Sequence, residues 1–364
     1  MRIDKFIFAF FSFVFVLVGV IFSDFLLSQK FLIISTFVSV YLGLDLRFAI
    51  EKIEIANFQP LLILINSSLL YFIILMAVHG VPILSNDVEL SRVEVLQEGG
   101  IFYRIFLSGI FAIPILMTRR NAWTNKIYFG AGLIILLMLA FRSRILDFIF
   151  MTALALMLSR GVTRIRLSGL VKLIILASPF VIVIVGLTSI RTGIPLSGEL
   201  VEVVLYRVFV LNTEQNIAKV FNYYSEAGIN YGLSYLTDII AIFSEWDSMA
   251  EVLTKWNKSL PGNSNTVMTP TVFSELYFNF GFLSPVFGYV LGRWYSLIIR
   301  FMLKKVAYLG NYYSGVRSWL ILFTLYYIPR VIVTGGFSNA MITKFTAGFM
   351  CVGFIWVITR FFRT

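Results

Sequence analysis

The sequence predicts an all-α polytopic membrane protein, and three observations predict it. Of its 364 residues, 59% are hydrophobic and only 13% are charged, about half the charged share usual in a soluble domain. Mean hydropathy is +0.88 over the whole length, more than a single buried core accounts for. Apolar stretches of helical length recur along the chain, and the basic residues between them gather on one side. These features exclude an ordinary soluble enzyme, a disordered chain and a disulfide scaffold. Cys351 is the single cysteine and cannot form an intrachain bridge. One histidine and one cysteine are too few for a His/Cys metal site, so no metal and no cofactor is expected.

A hydrocarbon core about 30 Å thick needs roughly 20 apolar residues per helix. Ten spans are read near 6–22, 26–44, 60–78, 101–117, 127–141, 145–158, 171–190, 272–297, 315–333 and 341–359. The first follows a basic N-terminus and lacks a small-residue cleavage site, so it reads as a retained span and not a removed signal peptide. Lys30 blurs the start of the second. The fifth and sixth are short, suit a tight hairpin, and are separated by Arg142 and Arg144.

With a cytoplasmic N-terminus and ten alternating spans, eighteen of the 30 Lys and Arg residues fall inside, with only Asp4, Asp45, Glu51 and Glu54 beside them. The outside then holds 12 bases and 15 acids. The positive-inside rule therefore favours an even span count and cytoplasmic termini. The net charge of +11 becomes a topology signal, and nucleic acid is not an expected partner. The chain divides into a membrane bundle of about seven spans over 1–190, an outer loop over 191–271, and a bundle of about three spans over 272–364. A loop of that length is commonly functional. Its segment LVEVVLYRVFVL (200–211) reads as an amphipathic helix in the outer interface. A second outer loop, 79–100, is acidic, with Asp87, Glu89, Glu94 and Glu98.

Several cations break the sidedness rule. Arg104, Arg142, Arg144, Arg191, Arg207 and Arg330 fall at or near outer span ends. Ionisable groups set in apolar sequence are costly and usually serve a purpose. A guanidinium binds phosphate in bidentate fashion and keeps its charge when desolvated. Arg142, Arg144, Arg191, Arg207 and Arg330 are therefore candidates for gripping a lipid-attached diphosphate. The competing reading is snorkelling to headgroups or local pairing, as Arg144 and Asp147 can do three apart on one helix.

Glu275 opens the eighth span, and Asn279 lies one turn on, on the same face. Glu275 is the general-base candidate and Asn279 a substrate contact. The plain alternative is a carboxylate favoured at a helix start. In FSEWDS (243–248), Trp246 offers a ring for a sugar face and Asp247 is the reserve base; the alternative is an interfacial Trp anchor. Pro329, Gly335 and Gly336 near Arg330 predict a broken outer end of the ninth span.

Three stretches carry a resemblance: FRSRILDFIF (141–150), LYRVFVLNTEQNIAKVFNYY (205–224) and TPTVFSELYFNFGFLSPVFGYVLG (269–292). Together with the many spans and one large outer loop in the second half, they resemble the Wzy-type O-antigen polymerases, with Arg144 and Arg207 matching best. The O-antigen ligases share this plan. The resemblance implies a GT-C-like glycosyltransferase architecture in the bacterial inner membrane. It implies glycosyl transfer at the periplasmic face, without metal or nucleotide sugar. Donor and acceptor are both glycans on undecaprenyl diphosphate, and a chain-length regulator is an implied protein partner. A lipid-linked oligosaccharide flippase is the competing class. It calls for paired halves with breaks at equivalent positions, whereas polar residues here gather at one face.

Overall fold

The computed structural model describes residues 2–47, 55–85, 87–119, 123–140, 142–162, 164, 182, 185–190, 194–206, 216–235, 252–256, 271–307, 310–339 and 346–361. These residues are helical, with no strand among them. Helix α1 runs over Ile3–Phe22 and α2 over Leu27–Gly43. Helices α3 (Gln59–His79) and α4 (Val88–Ile110) follow, with a further turn at Ile113–Leu116. Next come α5 (Trp123–Met138) and α6 (Arg142–Ser159). The region 191–271 contributes α7 (Gly198–Leu205) and α8 (Lys219–Ala227). The last four are α9 (Val272–Phe280), α10 (Ser284–Ala307), α11 (Ser314–Asn339) and α12 (Thr346–Phe361).

Among the described residues, four helical stretches are long and apolar enough to cross a membrane: Ile3–Phe22, Gln59–Leu84, Val272–Lys305 and Asn311–Phe337. Leu27–Gly43, Phe102–Leu116 and Trp123–Met138 are apolar but shorter. Helices also stand at the sixth and tenth expected spans, as α6 and α12. The seventh, 171–190, falls almost wholly outside the described residues. One difference concerns 79–100. The sequence reads as a loop there, yet α4 begins at Val88 and turns sharply at Gly100, with φ 49°. Its heptad VELSRVE is good helix-forming sequence, and only glycine takes that backbone turn without strain.

The bundle is built around α11. Its apolar window is 89% buried, against 33–39% for the other three long spans. Trp319, Tyr327, Leu322, Leu325, Ile328 and Ile332 are sealed within it. Helix α1 packs on α11, α2 packs most extensively on α10, and α3, α4 and α12 pack together. Small residues bring α2 and α10 close. A Cβ at Gly292 would lie 3.0 Å from the Leu44 amide nitrogen, and Gly43 sits directly against the Tyr289 backbone. Outward positions stay apolar, among them Phe22, Leu27, Phe31, Ile73, Val78, Phe282 and Phe301, as a lipid-facing surface requires.

Candidate functional site

The expected break in α11 is present. Gly336 has φ 74°, a region open to glycine and strained for other residues. Beyond the break, the backbone N–H of Phe337 is no longer held by the helix ladder and donates to Glu275 Oε2. The Glu275 side chain lies directly against Gly336 and is 1% exposed. The first turn of α9 holds it there. Thr271 caps that helix, its side-chain oxygen accepting the Ser274 N–H at 3.2 Å, and Glu275 N–H donates to Thr271 O at 2.9 Å. Glu275 is thus tied to the end of α11, the helix that carries Arg330.

Arg330 lies six residues before Gly336, about 9 Å along the axis. Its Nε lies 2.9 Å from Asp147 Oδ1 in an ion pair. Asp147 comes from the first turns of α6 and is 1% exposed. Tyr326 donates its hydroxyl to the same oxygen at 2.8 Å, and Tyr327 donates to Oδ2 at 3.3 Å. Arg144 Nη1 stands 3.6 Å from Oδ2 and donates to the Tyr327 hydroxyl at 3.3 Å. The local pairing of Arg144 with Asp147 is therefore real, but it is half of the arrangement, because α11 delivers a second guanidinium to the same carboxylate.

This cluster holds two arginines against one aspartate, an excess of one positive charge. The Arg144 and Arg330 side chains keep 21% and 13% of their surface, whereas that of Asp147 keeps 2%. Among the described residues, Arg330 pairs through Nε and Arg144 through Nη1, and the remaining N–H groups of both forks have no partner among those residues. Rings surround them: Arg330 lies 5.8 Å from the Phe11 centroid and 6.0 Å from that of Tyr327. Just past Phe11, α1 loosens into a π turn over Phe13–Leu17, a feature frequent at functional sites. Below the cluster, Phe6, Ile7, Phe10, Phe11, Phe150, Leu154, Met157 and Tyr326 line a small apolar cleft of about 40 Å³.

Asn279 is fully buried and already bonded. Its amide donates to Ser234 Oγ at 2.6 Å and to Glu275 O at 2.8 Å, and its Oδ1 accepts from Ser234 at 2.9 Å. It ties the 233–235 turn onto α9. Ser274 Oγ donates to Asn216 O at 3.1 Å, and Asn230 N–H donates to Phe278 O at 3.1 Å. Tyr223 and Tyr224 of α8 pack on Phe278 and Tyr277. Helix α9 is thus the platform on which α8 and the 233–235 turn sit. Helix α7 confirms the start of the expected amphipathic segment.

Arg191, Arg207, Trp246 and Asp247 lie outside the described residues, as does the side chain of Arg142. Arg104 is exposed on α4. Sequence reading assigned no site role to Tyr326, Tyr327 or Asp147. The adjacent YYIPR run (326–330) was the available signal, since it sets two phenols within a turn of a membrane arginine.

The fold and site define an all-helical membrane protein whose central helix carries a buried, net-positive cluster of arginine, aspartate and tyrosine. A family model described as "Putative O-antigen polymerase" matches residues 3–329, and the chain belongs to that family. No curated protein and no solved structure matches it.

Proposed function

We propose that this protein is a glycosyltransferase that polymerises oligosaccharide repeat units carried on undecaprenyl diphosphate, working at the periplasmic face of the bacterial inner membrane. The observation that carries the reading is the pair Arg144 and Arg330. They come from helices far apart in sequence, converge on Asp147, and keep N–H groups without a partner among the described residues beside a net positive charge. A transfer of this kind breaks the bond between the sugar's anomeric carbon and a diphosphate oxygen. The electron pair leaves with the diphosphate, and preorganised guanidinium groups in a low-dielectric site stabilise that charge. Asp147 is a positioning residue: it fixes both forks and takes up half of their charge. The acceptor hydroxyl attacks the anomeric carbon and gives its proton to a carboxylate.

Glu275 remains the base assigned here, with Asp247 in reserve. Phe337 N–H donates to Glu275 Oε2. Arg142, Arg191 and Arg207 are assigned to the same diphosphate and Trp246 to the glycan, while Asn279, buried and bonded to Ser234, holds α9 in place instead of touching the glycan. No step calls on a metal ion, and a chain-length regulator is a partner of this reading. The charge asymmetry of the sequence supports cytoplasmic termini and a periplasmic site.

Purified protein supplied with one defined lipid-diphosphate-linked repeat unit tests the proposal. A ladder of products, each longer by one repeat on the lipid carrier, is expected. No elongation, or transfer of single repeats only to a lipid A core acceptor, overturns it; the latter outcome identifies a ligase.

A further inference from the structure

A second charged cluster lies at the other end of the bundle, where α1 begins and α2 ends. Asp45, just past α2, accepts from Arg2 Nη2 at 3.1 Å and from Arg47 Nε at 2.8 Å, and Arg293 Nη1 of α10 approaches it to 3.5 Å. Its backbone N–H donates to Ser296 Oγ at 2.8 Å. Arg2 also donates to Asp4 Oδ1 and Oδ2, at 3.2 and 3.1 Å. Burial works to raise the Asp45 pKa, but the Arg47 hydrogen bonds and the neighbouring positive charges outweigh it. Asp45 therefore titrates below its ordinary value and stays ionised.

Asp45, Arg47, Arg293, Ser296, Leu297 and Arg300 line an open cavity of about 340 Å³. Four arginines (Arg2, Arg47, Arg293, Arg300) face two aspartates (Asp4, Asp45), leaving two positive charges in excess. The Arg47 and Arg293 side chains keep 67% and 51% of their surface. Arg300 makes no ion pair with any described residue. This place is distinct from the Asp147 cluster. Along α1, Arg2 at the Asp45 cluster and Phe11 beside Arg330 are nine residues apart, about 14 Å along the helix.

A second observation says what fits. Val286, Val290, Trp294, Leu297 and Phe301 form an exposed apolar stripe along α10, spaced by three or four residues and so on one face. Leu297 belongs both to this stripe and to the cavity wall. A ligand with one anionic head and long apolar tails meets both features at once, the head among the guanidinium forks and the tails along the stripe. A free inorganic anion meets only the first.

We infer that the Arg47–Arg293–Arg300 cavity is a binding site for the headgroup of an anionic phospholipid, whose acyl chains lie against the apolar stripe of α10. The site is independent of the glycosyl-transfer reading.

Native mass spectrometry of the full-length detergent-solubilised protein tests this, with phosphatidylglycerol, phosphatidylcholine and inorganic phosphate as probes. Retained phosphatidylglycerol is expected at least tenfold above phosphatidylcholine. Arg300→Gln and Arg293→Gln should each weaken it about tenfold. Lys304→Gln/Lys305→Gln, which removes two charges from the last turn of the same helix, should weaken it less than twofold. Leu297→Asn should weaken phosphatidylglycerol without altering phosphate binding. Arg300→Gln leaves no described carboxylate without a partner, so the test does not depend on a variant that fails to fold. Equal loss from both sets of variants, equal binding of the two lipids, or displacement by equimolar phosphate would overturn the inference.

Discussion

Replacing Asp147 with Asn keeps the outline of the side chain and removes its charge. The wild-type carboxylate accepts from Tyr326 and Tyr327 and pairs with Arg330 at 2.9 Å and Arg144 at 3.6 Å, with 2% of its surface exposed. Asn leaves Arg144 and Arg330 at 21% and 13% exposure without their counterion. Its amide also turns two donors toward groups that donate. Removing one partner of a buried ion pair costs about 3–5 kcal/mol, and the partial exposure of the arginines places D147N near ~3 kcal/mol. The double variant D147N/R330Q removes one of the orphaned charges, so it should recover about 1–2 kcal/mol relative to D147N. The assay is reversible unfolding of the purified protein in one detergent, with D147N, R330Q and the double variant compared side by side with wild type. A D147N protein within ~0.5 kcal/mol of wild type, as for an ordinary surface change, refutes the reasoning. So does a double variant whose loss is the sum of the single losses.

Three further outcomes follow from the geometry. Arg144→Lys and Arg330→Lys keep the charge but lose the planar fork; polymer length on gels should fall to one or a few repeats while membrane levels of the protein hold. Gly336→Ala places a Cβ at φ 74° against the Glu275 carboxylate, so it should destabilise by more than ~1 kcal/mol, and thermal unfolding reads it. The folded-state pKa of Asp45 is depressed, so its contribution is present above the ordinary carboxylate value near 4 and is lost as pH falls through the lower folded value. D45N should therefore be less stable than wild type at pH 7 and converge on it at acid pH, and a constant gap across that range would contradict the assignment.

The positions of most helices were legible in the sequence because a membrane span is a local property. About 20 apolar residues declare themselves without reference to the rest of the chain. The break in α11 was legible for the same reason, since glycine beside a proline-bearing helix is a local backbone signal. Helix α4 escaped notice because its acidic first half lies outside any apolar window, although its residues favour helix. The site was only half legible. Arg144 and Arg330 stood out as charges in apolar sequence, but periodicity links Arg144 to Asp147 and stops there.

What the sequence determined by itself is which segments are apolar helices. What only the tertiary structure decided is which charges meet. Tyr327 and Arg144 are 183 residues apart, and no local pattern says that α11 lies against the start of α6. Packing around Trp319, Phe323 and Tyr327 puts α11 at the centre of the bundle, and burial then makes one carboxylate shared by two arginines the arrangement that leaves no buried charge isolated.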